Sequence, residues 1–294
     1  MRMIRYDDPK SLKDYDRGDE MGGQMDSTGN AKNFQTLIYQ VPEPGIGHLI
    51  LNRPESLNAL SLTMVDELCG LFDELTRSEE IRVLILSGAG RGFCSGADLS
   101  NPEVLEPAIH QGAAAHLKAI QRKYSGLIVK LRALPQPVIA AVSGPAAGGG
   151  MCLALASDIV YASPTATFIN SFINIGLSGG ELGSSYLLPR LTGMIRAAEI
   201  LYTGRTVDAR EAERIGIVTR LIEDETKLIE SAMDTARVML KKNPVGLRMT
   251  KEALNRNLNA VSLEAAIATE DLNQSICITT PEIRQAVKKF MKDG

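Results

Sequence analysis

Two glycine turns hold the first residues whose types and spacing could do chemistry. Gly92-Phe93-Cys94-Ser95-Gly96-Ala97-Asp98-Leu99 follows the apolar run Val83–Leu86. Ser143-Gly144-Pro145-Ala146-Ala147-Gly148-Gly149-Gly150 follows a second apolar run, Pro137–Val142. Each places backbone N–H groups at the end of a predicted strand, and the second also opens a helix whose dipole adds partial positive charge. Glycine lets a ligand reach the backbone with no Cβ in the way. A phosphate is one ligand for such a turn, and an oxygen that gains negative charge during a reaction is another. The phosphate reading lacks its usual companions. Gly144–Gly150 is not G-x-G-x-x-G, no acidic ribose-binding residue follows at about 20 positions, and no Lys-Ser/Thr ends a P-loop. Glycines also serve close packing, so the turns alone leave a functional and a packing use both open.

The elements that would carry these turns are legible from periodicity. Phe34–Val41 and Gly47–Leu51 read as two strands joined by Pro42, Pro44 and Gly45. Ser61 caps a helix through about Arg77, with Leu62, Val65, Leu68, Leu71 and Phe72 on one face. Val83–Leu86 and Pro137–Val142 lack alternation, as strands covered on both faces do. An irregular loop, a helix over 113–134, and a short helix over 149–156 complete the first half. Strands follow over 158–162 and 166–170. Beyond Gly180 the chain reads as helices over 181–189, 193–203, 208–215, 225–242, 246–257, 261–275 and 281–292, with one strand over 217–222. This is an α/β chain of three parts: a flexible arm over 1–33, a core over 34–222, and a helical region over 223–294.

Composition removes several function classes. The 32 Lys plus Arg against 35 Asp plus Glu give a net charge of −3, which argues against bulk affinity for nucleic acid or an anionic membrane. Cys69, Cys94, Cys152 and Cys277 form no CxxC, and His48, His110 and His116 stand at no ligand spacing to them, so neither a disulfide framework nor a metal site is expected. The first twenty residues are polar and acidic where a signal peptide needs an apolar stretch, which predicts a cytoplasmic protein. Gln136–Val160 has the length of a membrane span, but Pro145 and the triple glycine would break it, so it reads as strand, turn and buried helix.

From Phe34 to Phe290 the sequence resembles the crotonase, or enoyl-CoA hydratase/isomerase, superfamily. The resemblance rests on Leu51-Asn52-Arg53-Pro54 with Asn58-Ala59-Leu60, on both glycine turns, and on Ser157-Asp158-Ile159. It continues through Leu188-Pro189-Arg190-Leu191 and Thr203-Gly204-Arg205 with Ala209, Glu211 and Ala212. It implies a spiral of strand-strand-helix turns, a helical C-terminal region used in trimerisation, and a coenzyme A thioester as substrate, a chemistry of fatty acid metabolism with no permanently bound cofactor. A homotrimer or a dimer of trimers is the implied assembly; the stripe Leu263, Ala266, Ile267, Leu272 and Ile276 suits either a subunit interface or packing within the chain.

Carried over by position, the resemblance makes the N–H groups of Ala97 and Gly149 an oxyanion hole. Asp98, Leu99, Gly148 and Phe172 join them in the substrate site. Asp98 reads more simply as a brace of its own turn. The two glutamates that hydratases of the family use to handle water are replaced by Cys152 and Phe172. Glu181 stands where some isomerases and a dehalogenase of the superfamily carry a single acid; its other reading is a carboxylate in the first turn of a helix. Enoyl-CoA isomerisation is therefore expected ahead of hydration with altered residues, with thioester hydrolysis third. A non-catalytic acyl-CoA-binding or assembly protein is the competing class. Lys241, Lys242, Arg248, Lys251, Lys288, Lys289 and Lys292 are candidates for contact with the coenzyme's phosphates or plain solvated faces. Asn170 and Asn174, which flank Phe172, could orient an acyl group or satisfy buried backbone.

Overall fold

Alternation fails in the central strands because both their faces are covered. In the computed structural model, which describes residues 34–284 together with 287 and 288, the strands are β1 (Leu37–Glu43), β2 (Ile46–Leu51), β3 (Val83–Gly88), β4 (Val138–Val142), β5 (Pro145–Ala147), β6 (Ile159–Ala162), β7 (Thr167–Ile169), β8 (Thr206–Asp208) and β9 (Arg220–Leu221). The arm expected over 1–33 and the end of the helix expected over 281–292 lie outside the described residues. One sheet runs β1-β2-β3-β4-β6-β9, antiparallel at its first pair and parallel from β2 onward. A smaller sheet runs β5-β7-β8.

The helices are α1 (Leu62–Arg77), α2 (Pro102–Gln111), α3 (Ala113–His116), α4 (Arg122–Ala133), α5 (Gly149–Ala156), α6 (Ser184–Thr192), α7 (Met194–Thr203), α8 (Ala209–Ile215), α9 (Leu228–Leu240), α10 (Pro244–Asn257) and α11 (Leu263–Cys277). A π-helical turn, Leu117–Gln121, joins α3 to α4. The unit β1-β2-α1 recurs as β4-β5-α5 and β6-β7-α6. After β3 the second strand shrinks to Cys94, which bridges to Ala146 of β5 before the chain enters α2. Four strand-strand-helix turns thus wind into the spiral.

Side-chain alternation splits the large sheet into two packing faces. Leu49, Leu51, Leu84, Leu86, Val138, Ala140 and Val142 enter the core shared with α1, α4 and α5. Ile46, Val83, Ile85, Ile139, Ala141 and Tyr161 face Leu228, Ala232, Met233 and Ala236 of α9. Each fully buried Leu, Ile or Val side chain contributes about 1.5–3 kcal/mol. The α10–α11 pair is fastened to the first core by charge. Lys251 Nζ lies 2.7 Å from Asp158 Oδ2 and donates to the Gln136 carbonyl at 2.8 Å. Asp158 also accepts from Arg132 and from the Val138 N–H. Among the described residues no helix is long and apolar enough to cross a membrane.

Three expectations are corrected. The irregular loop expected after the first glycine turn contains α2, which begins with Asn101 as side-chain cap and Pro102 in its first turn. Thr206–Asp208 forms β8 where helix was expected to begin at 208. The helix expected from 181 starts at Ser184, capped by Gly183 with φ +80°.

Candidate active site

The two glycine turns lie side by side and are stitched through their backbones. Cys94 N–H donates to the Pro145 carbonyl at 3.0 Å, and Ala147 N–H donates back to the Cys94 carbonyl at 2.9 Å. Such proximity excludes side chains. A Cβ on Gly150 would fall inside the envelope of the Cys94 carbonyl oxygen. Gly96, at φ +96°, brings its backbone so near the second turn that a Cβ there would lie 3.3 Å from Gly149 N.

Leu60 flanks the first turn on its other side. Its N–H donates to the Gly96 carbonyl at 2.7 Å, and its carbonyl accepts from Asp98 N–H at 3.1 Å. In this parallel bridge the residue between, Ala97, turns its own N–H away from Leu60. Gly149 opens α5, whose cap residue Gly148 has no side chain to satisfy the helix start. Among the described residues neither the Ala97 N–H nor the Gly149 N–H donates to an acceptor. Two unengaged donors on neighbouring turns, one at an uncapped helix start, are suited to hold an oxygen that gains negative charge.

Asn58 sets the position of the first turn and was quoted in the sequence only as a motif letter. It is fully buried at φ +57°. Its Nδ2 donates to the carbonyls of Ala89 and Gly92, at 2.9 and 2.8 Å, and its Oδ1 accepts from Arg53 N–H at 2.8 Å. An asparagine tolerates the left-handed region and carries both donor and acceptor, which is the signal that could have found it. Asp98 has both oxygens occupied at home, by Ser100 and by Arg53. The Ser100 hydroxyl, with Arg53 beside it, holds the carboxyl below the usual range. Leu99 is exposed at the end of this turn.

The residues beyond the second turn enclose the same place. Cys152 is fully buried in α5, and burial pushes its thiol well above the ordinary value. Its Sγ donates to the Glu181 carbonyl at 3.7 Å, so Glu181 sits against the second turn of α5. The neighbouring Leu182 brings its side chain within 3.5 Å of where a Cβ on Gly149 would stand. The ring of Phe172 is as close to a Cβ built on Gly148. Glu181 therefore belongs to a turn preceding α6 rather than to a helix start, and its carbonyl accepts from Ser184 N–H. Its Oε1 accepts from Gln121 Nε2 and, at 2.9 Å, from Leu182 N–H. Among the described residues its Oε2 accepts nothing.

Other candidates separate from this cluster. Lys251 is committed to Asp158 and Gln136, and Arg248 donates to the Ser78 carbonyl. Lys289 and Lys292 lie outside the described residues. Asn174 donates to the Gly204 carbonyl, whereas among the described residues the buried Asn170 amide has no partner for either atom. No group of three or more His, Cys, Asp or Glu among the described residues is arranged to hold a metal ion.

Comparison with known proteins gives this arrangement its context. The family model for enoyl-CoA hydratase/isomerase matches residues 42–293. The "Probable enoyl-CoA hydratase EchA12" of Mycobacterium tuberculosis is 40% identical over 260 residues, covering 88% of this chain and 91% of the relative. The 1,2-epoxyphenylacetyl-CoA isomerase of Escherichia coli is 36% identical over 256 residues, 87% of this chain and 95% of its own. A crystal structure of a monofunctional enoyl CoA isomerase from M. smegmatis superposes with a TM-score of 0.65 at 38% identity, covering 79% of this chain and 98% of that one.

Proposed function

Because the chain belongs to the enoyl-CoA hydratase/isomerase family, we propose that it shifts the double bond of an enoyl-CoA thioester, using Glu181 as a single acid-base group. The observation that carries this reading is one carboxylate residue, Glu181, packed by its backbone against Cys152 of α5, the helix that Gly149 opens, with two unengaged N–H groups on the glycine turns and Phe172 beside Gly148. The thioester oxygen accepts hydrogen bonds from Ala97 N–H and Gly149 N–H. Glu181 removes a proton from C2 of a 3-enoyl-CoA; the C–H electron pair forms a C1=C2 bond as the carbonyl pair moves onto the thioester oxygen, giving a dienolate. The same carboxyl, whose proton exchanges with solvent before it is delivered, then protonates C4; the C3=C4 pair takes that proton, the C1=C2 pair moves to C2=C3 and the oxygen pair re-forms the carbonyl. No water enters the balance. Phe172, Leu182 and Leu60 supply apolar walls, and Asp98 braces the turn that carries Ala97. Coenzyme A acts as part of the substrate.

Hydration asks for water to be held and split at two points, and Cys152 and Phe172 offer no carboxylate for it. Relatives named as hydratases and as isomerases both match the chain, so the preference rests on these two residues. The test is a turnover screen over 2-enoyl-, 3-enoyl- and saturated acyl-CoA thioesters in deuterated water. Isomerisation with deuterium entering C2 or C4 is expected. Glu181→Gln should lower turnover by roughly 10²–10⁴-fold with acyl-CoA affinity nearly unchanged. Full turnover in that variant would sink the mechanism. A bound thioester that never exchanges deuterium would favour the non-catalytic binding reading.

The proposal extends to a homotrimer or a dimer of trimers. Leu263, Ile267, Leu272 and Ile276 of α11 are exposed at 71%, 43%, 58% and 43%, an apolar stripe that the described chain does not cover. Light scattering at micromolar concentration should give three or six copies; a monomer would contradict it.

A further inference from the structure

We propose that Gln121 is the positioning residue for the Glu181 carboxylate. The inference rests on Glu181 being the base and asks what makes it a competent one. Glu181 lies in a turn, not on a helix or strand, so no regular element fixes its side chain. Two donors do so instead, Gln121 Nε2 and the Leu182 N–H, and both go to the same oxygen, Oε1. The other oxygen is left for proton transfer. A carboxylate pinned at one oxygen has lost the rotation that would otherwise spread its reactive oxygen over many orientations.

Both donors come from uncommon backbone. Leu182 has φ +47°, a left-handed conformation that a leucine adopts only where its surroundings hold it there. Gln121 is the last residue of the π-helical turn Leu117–Gln121, after which α4 resumes regular geometry. Such single π turns inside α-helices are frequent at functional sites. The widened turn is secured below, where Ser125 Oγ donates to the Gln121 carbonyl at 3.0 Å. Sixty positions separate Gln121 from Glu181, so the contact is a product of the fold and not of local sequence. The amide type also matters. A lysine or arginine here would add a charge that holds the carboxylate's electrons, whereas an amide donates one hydrogen bond and leaves the carboxyl free to take a proton and give it back.

The test uses Gln121→Met, which keeps length and removes the donor, and Gln121→Glu, which replaces the donor by a second carboxyl. Each is made in the parent protein and in Glu181→Gln, and scored by deuterium exchange into 3-hexenoyl-CoA, by KM and by Tm. In the parent background Gln121→Met should lower kcat by roughly 10- to 100-fold, the cost of a misplaced reacting group, with KM and Tm close to the parent's. In the Glu181→Gln background it should change the residual rate by less than about twofold, because the group it serves is gone. Gln121→Glu should lose at least as much at neutral pH. Equal losses in both backgrounds would show that Gln121 supports the scaffold and not Glu181, and would overturn the proposal. Unchanged kcat in Gln121→Met beside a crippled Glu181→Gln would overturn it while leaving the base in place. Full turnover in Glu181→Gln would remove the base reading first, and this inference with it. If Gln121→Met fails to fold, Gln121→Glu decides: parental kcat in that variant contradicts the proposal.

Discussion

The two glycine turns and the Glu181 turn face the same place, but they are built from different materials. The glycine turns are joined to each other and to Leu60 by backbone hydrogen bonds, and Asn58 ties the first of them to the carbonyls of Ala89 and Gly92. Their N–H groups need no particular side chain, only the absence of one at Gly96 and Gly150. The Glu181 turn is held by side chains: Gln121 on the carboxylate, Ser184 Oγ on the Glu181 N–H, and the Cys152 thiol on its carbonyl. N–H donors written in backbone follow from the fold itself. With Glu181 in the role proposed for it, a turn held by side chains can be altered at its carboxylate without touching the glycine turns.

If that contrast is right, the glycine turns should fail as structure and the Glu181 turn as chemistry. The largest structural effect is expected from Gly150→Ala. Its methyl group meets the Cys94 carbonyl, so the turns must part, costing about 1–3 kcal/mol or more and lowering Tm together with turnover. Thermal melts and rates on the same samples would read this; an intact Tm with lost turnover would break the comparison.

A second effect lies outside both regions and separates their pH dependence from that of the scaffold. His48 shares a sheet face with Ile46, under α9, and bonds through Nε2 to Ser87 Oγ at 2.9 Å. Burial pushes its imidazole from 6.5 down to about 4. The unfolded chain therefore takes up this proton first as the pH falls. The contribution is intact above pH 6.5 and is lost toward pH 4, by up to about 3 kcal/mol. Denaturant titrations between pH 7 and pH 4 should show that slope, flattened in His48→Gln. An equal slope in the variant would assign the loss to other groups.

The smallest effect is expected where the two regions touch. Cys152→Ala removes a weak thiol hydrogen bond to the Glu181 carbonyl and leaves both N–H groups and the carboxylate in place. Turnover should fall by less than about threefold, in line with the modest worth of one neutral hydrogen bond. A loss approaching that of Glu181→Gln would give the thiol a part in the chemistry and redraw the boundary between the regions.

What could be read in the sequence follows the same division. The turns were legible because backbone approach selects glycine, and the central strands because burial on both faces erases alternation. Resemblance pointed to Glu181, but its local setting was misread: the helix begins three residues later, after Gly183 takes the left-handed cap. α2 was missed, although Asn101 with a proline next to it is a helix-start signal. Gln121 carried no signal at all. Nothing local to it foretells a partner in a distant turn, and a π-helical widening has no composition of its own. Asn58 had one, a left-handed residue able to donate and accept, but its carbonyl partners come from a loop some thirty residues on.

The Lys251 contact has a consequence for the order of events in folding. An ammonium with 4% exposure settles only where its anion and carbonyl already stand. Asp158 and Gln136 stand at the starts of β6 and β4, which pair with each other, so α10 is expected to dock after that pairing forms. Its release returns that charge to water and breaks a few side-chain bonds, from Arg248 to the Ser78 carbonyl and from Asn255 to the Arg132 carbonyl, whereas β4 must break pairs on both edges. Under native conditions the amides of α10 and α11 should exchange through partial opening, well ahead of those of β4, which wait for global unfolding.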